Sequence, residues 1–163
     1  MTNHEKIKSF VLDHYGENLV SLYAYGNEGL LDASPQHYLI VLKSGNIGQF
    51  LEHSAKKKPV KESVQFNVFT EKEVQNAIDV FPIEFLEMQR TKELLFGQDL
   101  LDQVSVQLTN LRHECEYTLR SNILKLRSAL LQSKVDLTLL LSDSFPIFFT
   151  SFSCIFTLKN QPR

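Results

Sequence analysis

The chain has 163 residues, 43% hydrophobic and 22% charged, with a formal net charge of −2. That composition excludes wholesale disorder, and this length suffices for one medium domain, or a small domain with an appendage, that buries most of its apolar surface. The near-neutral balance supplies no global field to draw nucleic acid or an anionic membrane, so such a partner would need a local patch.

Met1 to Lys8 is polar and mixed in charge, without the apolar stretch of a secretory signal, and a cytoplasmic protein is expected. Ile7, Phe10, Val11 and His14 recur at helical spacing behind Thr2 or Asn3 as cap, so the chain opens with an amphipathic helix ending near Gly16. Leu19 to Tyr25 is an apolar and aromatic run that predicts a buried strand stopping at Gly26-Asn27. After a loop through Pro35, Tyr38 to Leu42 predicts a second strand, and Lys43-Ser44-Gly45-Asn46 supplies a turn and a cap for a helix from about Ile47 to Lys57. Val64, Phe66 and Val68 alternate with Gln65, Asn67 and Phe69, the period-2 signature of a third strand. Thr70 and Glu73 form a capping box for a helix to about Ile78. Phe81 to Gly97 fits either a strand or a short helix, and a fourth strand is favoured.

From Ser105 to Gln132, Leu108, Leu111, Cys115, Leu119, Ile123, Leu126 and Leu130 recur every three or four residues, which predicts one long helix with charged residues on its other faces. A last helical segment spans about Val135 to Leu158, where Pro146 predicts a bend. Asp136, Asp143 and Pro146 divide it into short apolar runs, so a buried helix is expected and not a membrane span. Cys115 and Cys154 form no disulfide framework or zinc pattern and are expected to be reduced, structural thiols.

The order helix, strand ending in Gly-polar, loop, strand, helix, strand resembles the small nucleotidyltransferases of the DNA polymerase beta superfamily. Tyr25-Gly26-Asn27 stands where that family has Gly-Ser opening a helix, and His37-Tyr38-Leu39 stands where it has Asp-x-Asp. Phe81-Pro82-Ile83-Glu84-Phe85-Leu86 with Leu94-Leu95-Phe96-Gly97 resembles the segment closing the sheet in bacterial members. The likeness covers about residues 5 to 100. It implies an α+β fold: a small mixed sheet with helices on one face over residues 1–100, then a helical hairpin over 105–160.

Nucleotidyl transfer must neutralise a triphosphate and activate a hydroxyl, which paired magnesium ions accomplish when carboxylates hold them together. Residues i and i+2 on a strand share a face, so Asp-x-Asp presents both carboxylates to the same metals, and a neighbouring strand adds a third. Here those positions carry His37 and Leu39, and the third strand offers Gln65 and Asn67. Leucine ligates nothing, and amides bring no charge. Glu71 with Glu73, and Glu114 with Glu116, lie on predicted helices where such neighbours diverge; Glu28 and Asp32 lie in the loop.

Other signals are weaker. Gly26 and Asn27 could still present backbone N–H groups to a nucleotide phosphate, against the alternative of a tight turn. Ser44-Gly45-Asn46-Ile47-Gly48 lacks the spacing and lysine of a P-loop. Lys56, Lys57, Lys58 and Lys61 read as a helix C-terminus more than as a nucleic-acid contact. The expectation is a catalytically inactive nucleotidyltransferase-like module with a binding or regulatory role and no cofactor or metal. Its partner is another protein, or a second copy joined through the C-terminal helices; a divergent nucleotidyltransferase using magnesium and a structural dimerisation module are the alternatives.

Overall fold

The structure is a computed structural model that describes residues 3–26, 37–45, 64–131 and 136–160. The expected helix from Ile47 to Lys57, the lysine run and the loop carrying Asn27, Glu28 and Asp32 lie outside the described residues. The chain divides into two units, one made of Met1–Ile78 and Phe85–Ser105, the other of Asp79–Glu84 and Val106–Arg163.

In the first unit, helix α1 (Asn3–Tyr15) carries Ile7, Val11 and Tyr15 one turn apart, and all three are buried. It stops at Gly16, whose φ of 50° lies in the left-handed region where glycine alone is unstrained. A 3-10 turn (Gly16–Asn18) leads into β1 (Leu19–Tyr25). The Asn18 amide clasps the turn after β2 (His37–Leu42), donating to the Ser44 carbonyl at 2.7 Å and accepting from the Ser44 N–H at 3.1 Å. Those bonds make Ser44 a strand-end anchor. Strand β3 (Gln65–Thr70) follows.

Among the described residues the sheet has four strands in the order β3-β2-β1-β4, β4 being Glu93–Gly97. The pair β2-β3 is parallel and β1 pairs antiparallel with both β2 and β4, so the sheet is mixed. Leu22, Ala24, Tyr38, Ile40 and Leu42 form one core with Ile7, Val11 and Tyr15 of α1. By strand alternation Tyr23, Tyr25, Leu39, Val41 and Phe69 face the other way, where the Phe69 ring lies 6.0 Å from Phe85. Helices therefore cover both faces, not one as expected. The cause is visible in β1 and β2, which are predominantly apolar on both alternating faces and buried along almost their whole length.

Thr70 closes β3 and caps α2 (Glu71–Ala77) with the full capping box: its side chain accepts from the Glu73 N–H, and the Glu73 carboxylate accepts from the Thr70 N–H at 2.7 Å. The segment favoured as a single fourth strand is a helix and a strand, α3 (Pro82–Thr91) and then β4. Proline at the first helical position loses no bond the helix needs. Ile83, Phe85 and Met88 become its buried residues.

Gly97 ends β4 at φ 85° with its backbone pressed on β1. Beyond it, the Tyr23 hydroxyl donates to the Gln98 carbonyl at 3.0 Å and accepts from the Leu100 N–H at 2.7 Å, and Ser21 donates to the same carbonyl. Lys92 ties this turn down through Asp99 at 2.6 Å and Asp102 at 2.5 Å. Burial opposes charging of both Lys92 and Asp99, but their hydrogen bonds and mutual attraction outweigh it, raising the Lys92 pKa and lowering that of Asp99.

The second unit is a helical hairpin, α4 (Leu108–Leu130) and α5 (Leu137–Asn160). Leu111, Cys115 and Asn122 form the buried line of α4. Glu114 accepts the Ile83 N–H at 2.9 Å, and burial raises its carboxyl pKa. The two cysteines, 39 positions apart in the chain, meet: both are buried and free, and Cys154 hydrogen-bonds to the Cys115 thiol. His113, two residues before Cys115, is exposed, so the two diverge as helix neighbours at that spacing must.

α5 departs from expectation. It is one α-helix through Pro146, as the single last helical segment was expected to be, but Asp136 does not divide it: it caps it, accepting from the N–H groups of Thr138 at 2.9 Å and Leu139 at 3.1 Å. It is not a buried helix either: Leu141, Phe145, Phe149, Phe152 and Phe156 are exposed. By length and composition it is apolar enough to cross a membrane, and only 20% of that stretch is buried. Its buried residues are small ones, Ser144, Ser151 and Cys154, the last in contact with Cys115 of α4.

Candidate functional site

The positions at which the sequence lacks carboxylates assemble at one edge of the sheet. Because β2 and β3 run parallel in register, His37 pairs with Gln65 and Leu39 with Asn67, so four residues singled out from two separate segments lie side by side. Alternation places all four on one face, the face shared by Tyr25 of β1, whose partner across the antiparallel pair is His37. The arrangement matches the geometry that two strands need to deliver converging side chains. It contains no carboxylate.

Leu39 is fully buried, so it fills the position as a core residue. Asn67 donates from its side-chain nitrogen to the Tyr25 hydroxyl, and the Tyr25 and His37 rings lie 5.3 Å apart at 31°. The result is a cluster of phenol, imidazole and amides, able to exchange hydrogen bonds with a polar group but without the negative charge that draws hard divalent cations. Among the described residues no group of three or more His, Cys, Asp or Glu is placed to hold a metal ion. Asp99, whose Oδ1 lies 3.3 Å from the Tyr23 hydroxyl oxygen, has its charge committed to Lys92.

Gly26 borders this cluster. Its φ is 77°, and a Cβ built there would stand 3.1 Å from Cδ2 of His37. Its N–H, which at a phosphate-binding turn would point to the ligand, instead donates to the Thr91 hydroxyl at 2.9 Å, while that hydroxyl donates to the Glu87 carbonyl at 2.8 Å. Asn27, the other turn residue, lies outside the described residues. Two contributors were missed from sequence. Tyr25 carried a signal, since it precedes the glycine at the parity of Tyr23; Thr91 carried none, being 65 positions from Gly26 on a segment of ambiguous type.

No protein-family model matches the chain, and no curated protein does. Among solved structures, the chain is similar to spectinomycin adenyltransferase AAD(9) from Enterococcus faecialis, solved with ATP and spectinomycin: TM-score 0.51, 15% identity, covering 73% of this chain and 65% of that one. The chain therefore spans less than two thirds of that protein's length. The likeness is one of fold, and together with the mixed sheet and its helices it gives this chain a nucleotidyltransferase-like fold.

Proposed function

We propose that the chain is a catalytically inactive nucleotidyltransferase-like module with a binding or regulatory role, and that its partner is a protein. The observation that carries the reading is the lateral pairing of His37 with Gln65 and Leu39 with Asn67: the strand geometry for a metal site, filled by side chains with no carboxylate. Removing metal-assisted charge stabilisation forfeits several kcal/mol of transition-state binding, or orders of magnitude in rate. The bond from Gly26 to Thr91 supports it further, since it occupies a donor that a phosphate would use.

Ligand-linked thermal unfolding tests this. A site saturated a hundredfold by magnesium ATP would stabilise the fold by about 2.7 kcal/mol, which for a chain of this size raises the Tm by roughly 5 to 11 °C. The reading expects a shift below about 1 °C at millimolar magnesium ATP. A shift of several degrees that EDTA abolishes would favour a divergent transferase, with Glu28 or Asp32 as the metal-binding carboxylates.

A further inference from the structure

The second unit exposes what a helical hairpin normally hides. On α5 the buried line is Ser144, Ser151 and Cys154, while Leu141, Phe145, Phe149, Phe152 and Phe156 form an exposed stripe along the adjoining flank. They recur every three or four residues, so at 3.6 residues per turn they keep to one side of the helix. On α4, Ile123 and Leu130 are exposed on the flank next to the buried line of Leu111, Cys115 and Asn122. The Cys115–Cys154 contact joins the start of α4 to the end of α5, making the hairpin antiparallel. Rotating in opposite senses toward a common viewer, the two helices present these flanks on the same broad side.

We infer that this side is an interface for a second copy of the chain, joined about a two-fold axis so that two hairpins form a four-helix arrangement. The area fits. The four phenylalanines are 41 to 65% exposed; with aromatic side chains contributing roughly 150–250 Å² each, they present about 300–550 Å². Leu141, Ile123 and Leu130 bring the surface to roughly 600–800 Å², above the few hundred that a monomer ordinarily leaves wet and close to the roughly 800 Å² per partner of a stable interface.

The uncharged stripe and the area together favour a second copy as the occupant. In a two-fold contact the same patch meets itself, so it must be its own complement. The exposed stripe residues of α5, Leu141, Phe145, Phe149, Phe152 and Phe156, carry no charge, while on α4 Arg112 pairs with Glu116 at 3.5 Å and Arg127 stands between Ile123 and Leu130. The α5 stripe, being apolar, can be covered by its own copy without an oppositely charged partner. A bilayer fits less well: α4 exposes Arg112, Glu116, Arg120, Lys125 and Arg127, so it cannot follow α5 into hydrocarbon, and α5 entering alone would abandon the buried Cys115–Cys154 contact.

The inference names the partner for the binding role proposed above, yet the two fail separately: magnesium-dependent ATP binding by a dimer would overturn only the inactive reading. Sedimentation equilibrium of the full chain from 1 to 100 μM, with and without anionic vesicles, is the test. The expected mass is twice 18.8 kDa. Phe149→Glu and Phe152→Glu, each with wild-type far-UV circular dichroism, should weaken the dimer by about 100-fold or more, because each buries an unpaired charge at the contact. Leu124→Glu, an exposed residue off this side of α4, should leave it intact. A wild-type monomer at 100 μM overturns the proposal, as does a dimer that only Leu124→Glu disrupts, or a monomer that pellets with vesicles.

Discussion

Replacing Gly97 by alanine and, separately, Gly26 by alanine sets two glycines of similar backbone conformation against each other. Both have positive φ, 85° and 77°, so each substitution carries the cost of placing a Cβ in the left-handed region, about 1–2 kcal/mol. Their surroundings differ. At Gly26 the added Cβ meets the His37 ring at 3.1 Å, a side-chain edge that yields by a few tenths of an ångström. At Gly97 it would stand 1.8 Å from the Val20 carbonyl oxygen and 2.9 Å from the carbonyl carbon. Backbone cannot step aside there without opening the pairing of Ser21 with Gly97, on which the Tyr23 and Ser21 bonds to Gln98 depend. Gly26→Ala should cost about 1–2 kcal/mol and Gly97→Ala about 3 kcal/mol or more. Urea unfolding followed by tyrosine fluorescence reads this directly, since the chain has no tryptophan and Tyr15, Tyr23, Tyr25 and Tyr38 all sit in the sheet unit. Equal midpoints for the two variants, or a neutral Gly97→Ala, would refute the packing argument.

Other outcomes follow from single features of the fold. Thr70→Ala removes the capping box of α2 and should cost about 0.5–2 kcal/mol in urea unfolding, whereas an unchanged midpoint would mean that the box contributes nothing net. Asp99 has a lowered pKa, so its contribution is present above the unfolded value near 3.8 and lost as pH falls through the lower folded value; the destabilisation caused by Asp99→Asn should be full at pH 7 and shrink in strong acid. Lys92, with its pKa raised, contributes below 10.5 and loses that contribution only as pH rises through its higher folded value, so the stability plateau should extend across neutral pH. Burial pushes the Cys115 thiol up, and a disulfide reagent should react with the native chain about tenfold or more slower than with the unfolded chain; equal rates would contradict the buried placement.

The elements that declared themselves in the sequence were those whose periodicity and boundaries agree. β1 and β2 are predominantly apolar and aromatic runs, α2 begins with a capping box, and α4 repeats its apolar residues over six turns. Pro82–Thr91 did not declare itself, because Ile83 and Phe85 alternate like a strand; helix was chosen by proline at the first position and by the packing of Phe85 on Phe69. α5 misled in another way, since its phenylalanines read as core while the residues actually buried are serines and a cysteine. At the candidate site, spacing alone paired His37 with Leu39 and Gln65 with Asn67. That the pairs stand beside each other is a property of strand register, and that Thr91 takes the Gly26 N–H is a long-range contact no local pattern encodes.

The edge formed by Gly26, His37, Leu39, Gln65 and Asn67 should not bind a divalent metal and a nucleotide together. Isothermal titration of ATP into the full chain, with manganese or magnesium present and then with EDTA, measures that joint binding most directly. An inactive module should give no metal-dependent heat and no Kd tighter than about 1 mM. A micromolar site that requires the metal would contradict it.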